Sequence, residues 1–336
     1  MRDCSFLSLS AMSALAFRPQ PPEPVPEAWA APVLWPALVK DYHRVAYIER
    51  GERDAPRTII CAHGFSRNSR DFDFLAKRLS VNARVVCPDM PGRGRSDWLS
   101  QPTDDKGYNY PQYMLDATVL ISRLGVAEVD WVGTSMGALL GMMLAAQPNS
   151  PIRRLVLNDS GPFVPGSVAE YLSTYLGLDK DFETTEDVEA YVRQIYAGFG
   201  QLTDAQWRHI AKYSERRKPN GKLGLAFDPD ISLPFRPPFR DVDLWILWDA
   251  IRCPVLVLRG ERSDVLLPEV AREMTRRGPK AIVKEIPGCG HAPALMSADQ
   301  IAIVANWLET GEIEETPLAS LAPIAPSQSA ASATTT

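Results

Sequence analysis

The sequence predicts an α/β fold: a mostly parallel sheet covered by helices on both faces, with one helical insertion. Three observations predict it. Short apolar runs alternate with helical patterns over most of the 336 residues, as expected of strands buried on both faces between crossover helices. One stretch, 163–243, breaks that alternation, with three helical stripes and no strand pattern of its own. And Glu128 to Met143, EVDWVGTSMGALLGMM, runs from an apolar strand pattern through Gly133-Thr134-Ser135-Met136-Gly137 into a helix of small residues.

Taken in order, 43–49 and 57–62 read as strands, the second ending at His63-Gly64-Phe65. A helix is predicted over 71–79, where Phe72, Leu75, Ala76 and Leu79 fall at helical spacing. Strand 84–87 leads into a Gly- and Pro-rich loop, Pro88-Asp89-Met90-Pro91-Gly92-Arg93-Gly94-Arg95-Ser96. Residues 110–124 are amphipathic, with Met114, Leu115, Ile121 and Leu124 on one face. Strand 154–158 follows the Ser135 unit, and strands 254–259 and 281–286 and helix 298–308 come after the insertion. Within 163–243 the stripes are Val168, Tyr171, Leu172, Tyr175 and Leu176, then Val188, Tyr191, Val192, Ile195, Tyr196 and Phe199. Thr203 with Gln206 forms a capping-box pattern that opens a third helix through Trp207 and Ile210. The division expected is a disordered leader over 1–32, a core over 33–162 and 244–309, a helical cap over 163–243 and a disordered tail over 310–336.

Composition excludes several classes. A net charge of −5 gives no electrostatic footprint for nucleic acid, and 45% hydrophobic residues describe an ordinary globular chain. No apolar run is long enough to span a bilayer. Of the five cysteines, Cys4, Cys61, Cys87, Cys253 and Cys289, three lie in or beside strand patterns and read as buried thiols, which favours a cytoplasmic location. The weakly apolar stretch 6–17 and Ala14-Leu15-Ala16 are the features of the alternative, a secretion signal. There is no CxxC pair and no His/Cys cluster, so neither metal nor cofactor is expected.

The Ser135 unit carries the chemistry. A G-x-S-x-G match gains meaning between a strand and a helix, where a sharp turn lifts the serine hydroxyl above the sheet edge. The Met136 N–H then sits at a helix N-terminus, where it can stabilise an oxyanion. A serine nucleophile needs a base and an acid that orients it. Of four histidines, His291 follows Pro287-Gly288-Cys289-Gly290 in the loop after the last predicted strand, at the carboxyl edge of the sheet, and is the expected base. Two aspartates follow strands at that same edge. Asp264 is preferred as the acid, keeping the order Ser, Asp, His, and Asp159, in Asn158-Asp159-Ser160-Gly161-Pro162, is the alternative.

On His63-Gly64-Phe65, the 88–96 loop, the Ser135 elbow, Gly260 to Asp264 and Gly290-His291, the chain resembles serine hydrolases of the α/β-hydrolase fold that carry a helical cap. The resemblance implies that the Phe65 N–H joins that of Met136 in an oxyanion hole, that His63 is structural, and that the acid follows the strand containing Leu256, hence Asp264. Ala138 is a departure, since relatives often have a second glycine there. A serine nucleophile rules out the alkyl-enzyme route of dehalogenases and epoxide hydrolases, which needs a carboxylate. The expected activity is cofactor-free hydrolysis of a carboxylic ester through an acyl-enzyme on Ser135, on a small-molecule substrate with an apolar acyl part. The alternatives are carbon–carbon hydrolysis of ring-fission-type diketones and a ligand-binding member of the fold that has lost turnover.

Overall fold

The computed structural model describes residues 27–35, 38–100 and 107–312. An eight-stranded sheet is built from β1 (Glu27–Trp35), β2 (Leu38–Arg50), β3 (Thr58–Ala62), β4 (Arg84–Pro88), β5 (Val129–Thr134), β6 (Ile152–Asn158), β11 (Val255–Gly260) and β12 (Ile282–Ile286). Their order across the sheet is β1-β2-β4-β3-β5-β6-β11-β12. The first two pairings, β1 with β2 and β2 with β4, are antiparallel, and the remaining pairings are parallel. Strand order reverses at β3, and the loops that follow β3 and β5 leave the carboxyl edge at that switch point, where open α/β sheets bind ligands.

The central strands are apolar on both faces because both faces are covered. Along β3, Ile60 and Ala62 pack on one side while Ile59 and Cys61 pack on the other. The same alternation separates Trp131 from Val132 in β5 and Val257 from Leu256 and Leu258 in β11. The first face is closed by α2 (Tyr110–Leu124), α3 (Met136–Ala145) and α8 (Pro268–Met274), and the second by α1 (Asp73–Leu79) and α9 (Ala298–Thr310). Helix α3 is apolar all round, and eight of its ten residues are buried, which suits the innermost helix of a layered fold. Asn109 caps α2 by accepting from the Gln112 N–H, and Gly125 ends it in the left-handed region.

Between β6 and β11, segment 163–243 holds α4 (Gly166–Ser173), α5 (Thr185–Ile195) and α6 (Asp204–Ser214). Helix α6 opens with the Thr203–Gln206 capping box, and α5 with a second box, Thr184–Asp187. Contrary to the strand-free reading, four short strands also lie here. They are β7 (Phe163–Val164), β8 (Glu215–Arg217), β9 (Leu223–Leu225) and β10 (Val242–Asp243), paired β7 with β10 and β8 with β9. Strands of two or three residues are too short to show a period of two. Helix α4 also ends before Tyr175, so the first stripe is a helix followed by a turn rather than one continuous helix. Helix α7 (Trp245–Ala250) then returns the chain to β11.

At the N-terminus the expected leader is shortened, because 27–32 belong to β1, paired with β2. The rest of the leader and the tail beyond 312 lie outside the described residues. Among the described residues, no helix is long and apolar enough to cross a membrane. Cys61, Cys87 and Cys289 are buried and unpaired, and Cys253 is half-buried and unpaired.

Candidate active site

The turn after β5 places Ser135 with φ 52° and ψ −112°, a conformation that costs a non-glycine residue on the order of 1–3 kcal/mol. The surroundings hold it there. Its N–H donates to the Asn158 carbonyl (3.0 Å), and its own carbonyl accepts from Ala138 and Leu139 as α3 begins. The flanking glycines are required by close approach. A Cβ on Gly133 would lie 2.2 Å from the Gly137 carbonyl oxygen, and one on Gly137 would lie 2.1 Å from that of Ala62. Ala138, buried within α3, meets no such constraint.

His291 reaches this serine from the loop after β12, its Nε2 2.9 Å from Ser135 Oγ. Its Nδ1 lies 2.7 Å from Asp159 Oδ2. A carboxylate only accepts, so Nδ1 carries the proton and Nε2 is left to accept from the serine hydroxyl. Asp159 is fully buried, and its other contacts are also donors: the Gly260 N–H (2.7 Å) and the Ser263 hydroxyl (2.6 Å). The sheet explains this placement. In the register of β5 with β6, Thr134 faces Asn158, so the next residue of each strand, Ser135 and Asp159, leaves the sheet edge side by side.

The expected pairing of Asp264 with His291 is therefore corrected, and the alternative carboxylate, Asp159, occupies that position. The loop after β11 turns tightly, with the Ser263 N–H donating to the Gly260 carbonyl (2.9 Å). That turn sends Ser263 inward to Asp159 and leaves Asp264 exposed on the wall of a cavity.

His63 is fully buried. Its Nδ1 contacts the Gly64 carbonyl (2.7 Å), and its Nε2 accepts from the Met90 N–H (2.9 Å). Burial holds the ring neutral, with its pKa lowered to about 3. A contribution missed in the sequence is that of Arg93. Its buried guanidinium donates to the Phe65 carbonyl (2.9 Å), the Pro91 carbonyl (2.7 Å) and the Tyr113 hydroxyl (2.7 Å), and lies 4.6 Å from the Phe65 ring centre. It thus holds the carbonyl and the ring of Phe65. The glycines and prolines of 88–96 signal a loop, but nothing in its sequence signals that one of its two arginines turns inward.

Ser135 and His291 open into a cavity of about 390 Å³, within the usual range for a small-molecule site. Segment 163–243 supplies much of its wall, including Val168, Tyr171, Leu172, Tyr175, Tyr196 and Phe199. Trp207 is buried elsewhere, with the Arg193 guanidinium 5.4 Å from its ring centre. The segment also touches the base loop directly: the Gly290 N–H donates to the Gly198 carbonyl (2.8 Å), and that of Ala294 to the Phe199 carbonyl (3.3 Å). Among the described residues, no cluster of His, Cys, Asp and Glu is disposed to hold a metal.

A sheet of this order, with a serine on a strained strand-to-helix turn and a histidine loop at its carboxyl edge, defines the class of α/β hydrolases. The comparison with known families agrees: residues 59–304 match the alpha/beta hydrolase family, and the chain belongs to it. It is 46% identical over 274 residues to a 3-hydroxybutyrate-oligomer hydrolase of Cupriavidus necator, covering 79% of this chain and 92% of that protein. It is 26% identical over 239 residues to a 2-hydroxymuconate semialdehyde hydrolase of Pseudomonas putida, covering 69% of this chain and 79% of that one. Among solved structures, an alpha/beta hydrolase from Novosphingobium aromaticivorans superposes with a TM-score of 0.73 at 33% identity, covering 84% of this chain and 97% of that one.

Proposed function

We propose that this hydrolase cleaves carboxylic esters through an acyl-enzyme on Ser135, and that its substrates are short oligomers of 3-hydroxybutyrate. The observation that carries the chemistry is the hydrogen-bonded line Ser135–His291–Asp159, opening on a largely apolar cavity. The substrate class is supported by the 46% identity to the Cupriavidus necator enzyme over nearly its whole length.

The Ser135 Oγ attacks the ester carbonyl carbon as its proton passes to His291 Nε2. Asp159 holds the imidazole in the reactive tautomer and stabilises the imidazolium. The N–H groups of Phe65 and Met136 receive the charge on the carbonyl oxygen, the second at the start of α3, while Arg93 anchors the Phe65 carbonyl next to the first. The carbon–oxygen bond of the ester then breaks, and His291 gives its proton to the departing alkoxide. Water, deprotonated by the same imidazole, hydrolyses the acyl-serine and restores the hydroxyl. Segment 163–243 serves as a cap that walls the acyl site. Neither metal nor cofactor enters any of these steps.

The second reading, carbon–carbon hydrolysis, draws support from the Pseudomonas putida relative, at lower identity. A paired assay separates the two. Purified protein is expected to release 3-hydroxybutyrate from the dimer and trimer with a kcat/KM about a hundredfold or more above that for a ring-fission diketone, a barrier difference of about 2.7 kcal/mol or more. Preference for the diketone would overturn the ester reading.

A further inference from the structure

The cavity wall combines aromatic and aliphatic side chains with polar ones such as Arg67, Gln194, Arg262 and Asp264, and three hydroxyls are buried together in it. Ser66, Tyr175 and Tyr196 are 8%, 7% and 6% exposed. Ser66 Oγ lies 3.3 Å from the Tyr175 hydroxyl and 3.0 Å from that of Tyr196, which is also 3.3 Å from the Ser66 carbonyl oxygen. We propose that this trio is a polar subsite for the C3 oxygen of a 3-hydroxyacyl group, selecting such esters over plain alkanoyl esters. The proposal rests on the reading that 3-hydroxybutyrate esters acylate Ser135.

Burial makes the hydroxyls informative. Phenylalanine would fill the same space, whereas a desolvated hydroxyl costs roughly 1–3 kcal/mol unless it is bonded. Proton counting shows what the trio can offer. With Tyr196 donating to the Ser66 carbonyl, the Ser66 proton can go to either phenol. If it goes to Tyr175, the Tyr175 proton has no acceptor within the trio and is available to a ligand oxygen. If it goes to Tyr196, Tyr175 donates to Ser66, and its oxygen can accept from a ligand hydroxyl. An oligomer presents both cases: an ester oxygen at C3 of an internal unit, which only accepts, and a free hydroxyl at C3 of the terminal unit, which can donate.

Position along the chain agrees. Ser66 directly follows Phe65, whose N–H belongs to the proposed oxyanion hole, and all three residues line the same cavity as Ser135. C3 of the acyl group is two bonds from the carbonyl carbon, so an oxygen there lies close to the reacting centre. The rings are braced by neighbours: Tyr175 against Tyr171 (centroids 5.5 Å apart), and Tyr196 stacked on Phe199 (5.1 Å) with the Arg67 guanidinium 4.6 Å from its centre.

The test compares kcat/KM for ethyl 3-hydroxybutyrate and ethyl butyrate in the purified full chain, in Tyr175→Phe and in Tyr196→Phe, with the Tm of each. The parent protein is expected to prefer the hydroxy ester. Tyr175→Phe is expected to reduce that ratio by about three- to tenfold, as for the loss of one hydrogen bond, with the loss carried by the hydroxy ester and read mainly in KM. Tyr196→Phe, which removes a partner of Ser66 rather than of the ligand, is expected to reduce it less. A preference that survives in Tyr175→Phe would overturn the subsite but leave the substrate class standing. Equal loss on both esters would make the trio a structural latch and also overturn it. A parent protein that does not distinguish the two esters would overturn the substrate class itself, and the subsite with it.

Discussion

At the scale of single residues, the chemistry depends on which carboxylate faces His291. Asp159 has no solvent exposure, and its two oxygens meet the imidazole, a backbone N–H and a serine hydroxyl. An amide there would keep the shape but offer the histidine the wrong partner and no negative charge. Asp159→Asn is expected to lower kcat by roughly a hundredfold to ten-thousandfold, with a smaller effect on KM. Asp264→Asn, altering an exposed group on the cavity wall, is expected to change kcat by less than about threefold. Both are read by steady-state kinetics on 3-hydroxybutyrate dimer, with circular dichroism to confirm folding. The reverse order of damage would return the acid to Asp264. The two aspartates were hard to separate in the sequence because both end a strand at the same edge and both lie between Ser135 and His291. What distinguishes them is lateral: β6 adjoins β5 in register, and that neighbourhood is a property of the sheet, not of residue order.

At the scale of elements, strongly periodic segments were the most legible. Helix α2 runs over the span expected, 110–124, because a capping asparagine and a terminal glycine bracket an amphipathic stripe. The apolar runs became β3, β4, β5, β6 and β11 because burial on both faces leaves few polar residues in such strands. The elements missed were short or composed against type. The four strands within 163–243 have two or three residues each, and α7 and α8 have six and seven. The β1 edge strand lies in a stretch whose alanines and prolines read as a leader. Placing the cavity-lining residues of 163–243 required the tertiary structure, since the aromatic stripes there suit packing and pocket equally. Tyr175 lines the cavity and Trp207 does not.

At the scale of the molecule, the fold carries a titrating group that resists protonation. His63 is neutral in the folded chain down to about pH 3, whereas in the unfolded chain it takes a proton near 6.5. Between those values the unfolded state binds the extra proton, so this residue makes stability fall as pH drops, with a limiting slope of about 1.4 kcal/mol per pH unit. Burial raises the carboxyls of Asp89 and Asp116 instead, and those groups push the other way. Urea unfolding from pH 7 to pH 4.5 is therefore best read as a difference. The parent chain is expected to lose more stability over that range than His63→Gln does, and equal losses would contradict a neutral buried ring. The central claim remains that the strained serine is the group acylated. Its most direct test is intact-protein and peptide mass spectrometry after treatment with a fluorophosphonate. One adduct per chain is expected, on Ser135, and none on a folded Ser135→Ala variant, whereas an adduct on any other residue, or equal labelling of the variant, would contradict a Ser135 nucleophile.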